Sequence, residues 1–399
     1  MRVKNHLIAA TVAAGCSMVL GLAPAAGAAA ATPKARATPR PPAQMSAVGG
    51  ARLGRPGVQL GDDAPTLPNG ISSLSWMVSD PDTGQVLAAD NVHWRLPPAS
   101  TLKTLFADTV LPRFPATATH KVTNQDLAGM GEGSSLVGVL PGHTYKVSDL
   151  WLGVFLRSGN DAVHTLASMN GGVARTVADM QAEAKKLGAD DTHVVTPDGY
   201  DEPGQVSSAY DLSLFARQGL RNADFARYCS TARAEFPGGP NTKNKPFEID
   251  NTNRLLSGVY GVRPYPGVVG VKNGYTTNAG NTLIVAARRN GHTVMATLMH
   301  PENPRSDEVY AEARALLDWG FQADGKAEPV GSLDAAATPG SQVSHPTSAD
   351  AAQTAAKVSG TGGVGALGWA GIIAAAVVLV AGASAFALRH GRPSGRRRF

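Results

Sequence analysis

Between residues 100 and 220 apolar side chains recur every three or four positions in five stretches: STLKTLFADTVL, VSDLWLGVFLR, NDAVHTLASM, VARTVADMQAEAKKLG and SSAYDLSLFARQGL. That spacing predicts amphipathic helices. On either side the pattern changes. At the front, LSWMVSD and GQVLAAD flank Pro-Asp-Thr-Gly and predict a hairpin. At the back, NTLIVAARR and HTVMATLMH flank Asn290-Gly291, whose tolerance of positive φ suits a two-residue type I′ turn. Ser306 then reads as the cap of another helix, with Asp307 and Glu308 in its first turn and Gly320 past its end. Strands at both ends with helices between them predict an α/β (α+β) domain. One antiparallel sheet would be assembled from both ends of the domain, with a helical subdomain beside it.

This periodicity covers about 61–325, and the remainder reads differently. Residues 1–31 have a short basic start, an apolar run and small residues near Ala31, the pattern of a secretory signal peptide. Lipid attachment at Cys16 is the alternative, but the apolar run continues well past that residue, so the plain signal peptide is preferred. Residues 32–60 form a Pro/Ala-rich lead-in, and 326–363 a flexible linker of low complexity. Residues 364–388 carry no charge over a length that would cross a bilayer, and the Arg-rich tail 389–399 places that end in the cytoplasm. The expected protein is exported and held at the membrane by its C-terminus. With Cys16 removed, only Cys229 remains; no intramolecular disulfide can form, and Cys229 reads as a buried helix residue.

The net charge of +5 belongs to the two ends. Residues 41–388 hold 26 basic against 31 acidic side chains, so a nucleic-acid partner is not expected. No His-Glu-x-x-His motif or Cys/His cluster at ligand spacing appears, and neither metal nor cofactor is expected.

Three short elements carry candidate chemistry. Ser100 and Lys103 are three apart where a helix begins after Pro97-Pro98, which puts an amine beside a hydroxyl on the first turn. A base that takes its proton makes serine a nucleophile, and a buried lysine can be that base. Ser158-Gly159-Asn160 interrupts two apolar helices, as an ordinary turn would, yet it also presents a hydroxyl and an amide from an apolar wall. VVGVKNGYT contains Asn273-Gly274, another hairpin signal; the polar YTTNAGN that follows lacks strand alternation, so the segment reads as a strand whose end presents Lys272.

In order, Ser-x-x-Lys, Ser-x-Asn and Lys-x-Gly are shared by penicillin-binding proteins and serine β-lactamases. With PASTLK, LRSGNDAV, TPDGYDEPGQVSSAYDL, NTNRLL and GVVGVKNGYTTNAGNTLIVAARR, residues 70–320 resemble the D-alanyl-D-alanine carboxypeptidases of serine peptidase family S11, low-molecular-mass penicillin-binding proteins. The resemblance implies the penicillin-binding protein/serine β-lactamase-like transpeptidase fold and a bacterial cell-wall enzyme. Its substrate would be a peptidoglycan stem peptide ending in D-Ala-D-Ala, with β-lactam antibiotics as covalent inhibitors. Ser100 would be the acylated nucleophile, Lys103 its base and Ser158 a proton shuttle. Asn160, Lys272, Asn273 and Gly274 would bind substrate, and the backbone N–H groups of Ser100 and Tyr275 would form the oxyanion hole. Asn273 departs from the family, which has Thr or Ser there to help hold the substrate carboxylate. Two other readings follow: a β-lactamase, for which no Glu-x-x-Leu-Asn block is seen between 161 and 271, and a peptidoglycan-binding protein impaired by Asn273.

Overall fold

The computed structural model describes residues 40–334. The expected signal peptide, the apolar segment 364–388 and the basic tail lie outside them. Among the described residues no helix is long and apolar enough to cross a membrane.

The chain opens with β1 (Val58–Leu60), β2 (Ser73–Ser79) and β3 (Gln85–Asp90). A helical body follows, with α1 (Lys103–Val110), a small ribbon of β4 (Thr119–Lys121) and β5 (Thr144–Lys146), α2 (Val147–Arg157), α3 (Asn160–Met169), α4 (Val173–Lys186), α5 (Ala209–Leu220) and α6 (Ala223–Cys229). A second ribbon, β6 (Arg233–Phe236) and β7 (Phe247–Asp250), and a short α7 (Arg254–Ser257) lead back to the sheet. There β8 (Val268–Thr276), β9 (Gly280–Arg289) and β10 (His292–Pro301) are followed by α8 (Glu308–Ala323) and β11 (Gly331–Ser332).

The sheet order is β1-β3-β2-β10-β9-β8, with β11 on β3, so β2 from the front pairs with β10 from the back. The sheet is antiparallel and built from both ends of the domain, as the alternation predicts. Its two faces bury different partners. Met77 and Met295 face the helical body, whereas Trp76, Val78, Val294 and Leu298 pack under α8. Both expected hairpins are present. Asp80 accepts the N–H groups of Asp82 and Thr83 to shape the first turn, and Asn290 and Gly291 take φ of 51° and 86° in the second.

Some local expectations change. Asp307, not Ser306, precedes α8, and Gly320 lies inside that helix. A Cβ at Gly320 would come within 2.5 Å of Val294 Cγ1 and 2.9 Å of Val78 Cγ1, so this glycine lets α8 lie on the sheet rather than ending it. The packed unit also extends beyond 61–325. Leu53, Val330 and Leu333 are buried, and β1 and β11 both pair with β3. Cys229 is buried at the end of α6, and burial pushes its thiol far above the usual range.

Candidate active site

Pro97-Pro98 gives way to a 3₁₀ turn, Ala99–Leu102, which runs directly into α1. This tight start puts the Lys103 Nζ 2.8 Å from Ser100 Oγ, donating to it. The same amine donates to the backbone carbonyl of Asp198 at 2.6 Å. Lys103 is 0% exposed. Burial pulls its amine down to about 8, although the nearby Asp198 and Asp161 carboxylates work the other way. A lysine in this condition can act as a base near neutral pH; at its ordinary value it would hold its proton.

Lys272 approaches from β8, in the middle of the strand and not at the end expected from sequence. It is 1% exposed, and its Nζ donates to Asn273 O at 2.7 Å. Burial first, and the charge of Lys103 second, hold this amine well below the ordinary lysine value. β8 is the last strand of the sheet, and its free edge meets the start of α1. The approach is close at Gly274, where a Cβ would lie 2.7 Å from Ser100 N. Tyr275, the next residue, is exposed. The Asn273-Gly274 signal therefore does not make the turn; β8 and β9 are joined three residues later, at 277–279. Asp201 shapes that turn by accepting from Thr276 Oγ1 at 2.7 Å and Asn278 N at 2.9 Å.

Asn273 stands differently from its expected place. Alternation along β8 turns it away from the face of Lys272 and Gly274. Its Oδ1 accepts from Thr252 Oγ1 at 3.0 Å, with Tyr310 of α8 alongside. The amide is thus engaged within the protein, on the opposite face of the strand from the two residues with which it was grouped.

The Ser158-Gly159-Asn160 turn forms the other wall. Ser158 ends α2 in the left-handed region, φ 56°, which swings the chain into α3. Its Oγ is buried and has no hydrogen-bond partner among the described residues. Asn160 begins α3, donates its backbone N–H to Ser135 O at 2.7 Å, and donates from Nδ2 to Ser134 Oγ at 3.0 Å. A groove of about 260 Å³ runs past Ser100, Asn160, Ser134, Asp198, Tyr275 and Thr277. A larger cavity of about 540 Å³, walled by Arg217, Arg221, Arg227 and Arg288, contains none of the expected site residues.

Sequence reading missed Asp198 and its neighbour His164. Asp198 is buried, and burial alone would raise its carboxyl. Contact with His164, the charge of Lys103 and the N–H of Tyr200 outweigh this and bring it to about 2. Gly199 is the one local signal: at φ 84°, a Cβ there would fall 1.9 Å from Ala99 O, so this turn needs glycine to sit against the loop of Ser100.

The profile of the D-alanyl-D-alanine carboxypeptidase family matches residues 62–303. The chain is 38% identical over 270 residues to D-alanyl-D-alanine carboxypeptidase DacB2 of Mycobacterium tuberculosis, covering 67% of this chain and 88% of that protein. It is 33% identical to DacD of Escherichia coli over 268 residues, 64% of each chain. Among solved structures, a D-alanyl-D-alanine carboxypeptidase of Mycobacterium tuberculosis matches with a TM-score of 0.61 and 36% identity, over 69% of this chain and 99% of that one. The Streptomyces K15 DD-transpeptidase, at 24% identity and a TM-score of 0.58, covers 65% of this chain and all of its own, and shares the fold.

Proposed function

Because the chain belongs to the D-alanyl-D-alanine carboxypeptidase family, we propose that it removes the terminal D-Ala from peptidoglycan stem peptides through an acyl-enzyme on Ser100. The observation that carries the residue assignment is the 2.8 Å contact between Ser100 Oγ and a fully buried Lys103 amine. In this reading the amine takes the Ser100 proton as Oγ bonds to the carbonyl carbon of the penultimate D-Ala. The oxyanion that forms is held by the N–H groups of Ser100 and Tyr275, donors of a kind each worth about 3–4 kcal/mol in the transition state. Collapse breaks the peptide bond, and the departing amine of D-Ala receives the proton held by Lys103 through Ser158, whose hydroxyl has no competing partner among the described residues. Asn160 holds the upstream peptide group. Lys272 attracts the terminal carboxylate, whose arrival supplies the opposite charge that this buried amine lacks. Gly274 keeps the strand close enough for these contacts. Asn273 would have to leave Thr252 to assist, so carboxylate binding rests chiefly on Lys272. Water then releases the acyl group from Ser100, and β-lactams acylate the same oxygen.

The test is direct. Wild type should release D-Ala from a D-Ala-D-Ala peptide and be labelled by a fluorescent penicillin, and Ser100→Ala should lose both. Labelling that survives in the variant would remove Ser100 from the mechanism. Rapid turnover of a chromogenic cephalosporin without D-Ala release would point to a β-lactamase, and a folded wild type that takes no label to a binding protein.

We also infer from the uncharged 364–388 segment and its Arg-rich flank that the enzyme is tethered to the bacterial membrane with its catalytic domain outside. The full chain should sediment with membranes, and a chain ending at residue 363 should not. Equal partitioning of the two would dismiss the tether.

A further inference from the structure

Behind Lys103 lies a second layer of charge to which the reaction above gives no part. Asp198 meets Lys103 through its backbone carbonyl, and its carboxylate points onward. Oδ1 accepts from Thr196 Oγ1 at 2.9 Å and Tyr200 N at 3.0 Å, which fixes the turn that carries Gly199 against the Ser100 loop. Oδ2 lies 3.4 Å from Nε2 of His164, on α3. The ring is 4% exposed, and its Nδ1 lies 3.2 Å from Ala128 O. Both ring nitrogens therefore face acceptors. The ring is thus held between the carboxylate of the 196–199 turn and the backbone of residue 128. His164 also lines a cavity of about 590 Å³, with Asp126, Gly129 and Ser168, which does not include Ser100.

We propose that His164 and Asp198 are a positioning pair for Lys103, in which the His164 ring, set against the Asp198 carboxylate, draws that charge away from the amine and leaves it free to take the Ser100 proton. Apart from the Asp198 carbonyl on the Lys103 amine, the pair acts on the reaction through Lys103, so it rests on Lys103 being the base. An unscreened carboxylate beside a buried ammonium would hold the proton on nitrogen. Other ionisable groups stand near them. Asp161 of α3 accepts the N–H groups of Val137, Gly138 and Val139, Lys272 faces Lys103 from β8, and Asp126 is bound by Thr123 and His120.

The two partners should shift the enzyme in opposite directions, which a purely structural role would not do. The measurement is the rate of acylation by a fluorescent penicillin across about pH 6–10 on the full chain, with the rising limb reporting loss of the Lys103 proton. Asp198→Asn keeps the shape and both Oδ1 contacts but removes the charge, and should move the limb to lower pH by about one unit. His164→Gln uncovers the carboxylate and should move it to higher pH by a similar amount. The double variant should follow Asp198→Asn, because no charge remains to screen. His164→Asn serves the same purpose if the glutamine variant does not fold, as judged by its thermal melt. Shifts in the same direction, or none in folded variants, would overturn the pair. Acylation without any D-Ala release by wild type would overturn the carboxypeptidase reading instead, while leaving this test intact.

Discussion

Gly274 sits where the sheet comes close to Ser100. Its absent side chain would collide with Ser100 N at 2.7 Å and Ala99 Cβ at 2.9 Å, and neither backbone nor a first-turn residue can swing aside as a long side chain could. Gly274→Ala should therefore part β8 from Ser100, and a displacement near 1 Å costs about 100-fold in rate. D-Ala release should fall by about that factor while the thermal melt stays close to wild type; an unchanged rate would mean that the strand yields without harm. At this scale the sequence is informative where chemistry is local. Ser100 and Lys103 meet because they are three apart on one turn, and no tertiary knowledge is needed to see it. Asn273 is harder to read, because its direction depends on which face of β8 Lys272 occupies. Asp198 and His164 carry no local pattern beyond the glycine at 199, since their contact is made only when α3 and the 196–199 turn pack together.

The secondary elements were legible wherever one side of an element is apolar. The five helices and both hairpins follow from spacing and turn residues, and the sheet from strands at both ends. The edges of the unit were not legible, because Pro, Ala and Gly in residues 40–60 and 326–334 mask short pieces that nonetheless bury Leu53, Val330 and Leu333. Arg217 closes this region by pairing with Asp334 at 2.7 Å, and Tyr210 OH donates to Ser332 O. Each buried Leu or Val contributes about 1.5–3 kcal/mol at most, against a total of about 5–15 kcal/mol for a typical domain. A fragment confined to 61–325 should thus unfold at a clearly lower urea concentration than one covering 40–334. Coincident unfolding curves would show that these end segments merely lie on the surface.

Across the whole molecule, charge separates into a body with a deficit of basic residues and two basic ends, so the high isoelectric point says nothing about the surface around the groove. The groove itself belongs to no single segment. Ser100 begins the helical body, Lys272 lies on the edge strand formed by the last third of the domain, and the 196–201 turn joins them through Gly199 and Asp201. The pairing of β2 with β10 has a temporal consequence. During synthesis, Ser100 and Lys103 leave the ribosome long before β8 exists, and the sheet can close only when β10 has emerged to reach β2. Contacts so distant along the chain form late and slowly. An incomplete chain therefore carries Ser100 and Lys103 with no strand beside them. The capacity to be acylated would then appear only once the polypeptide is nearly whole, which makes penicillin labelling a clock for the maturation of this protein as well as a probe of its chemistry.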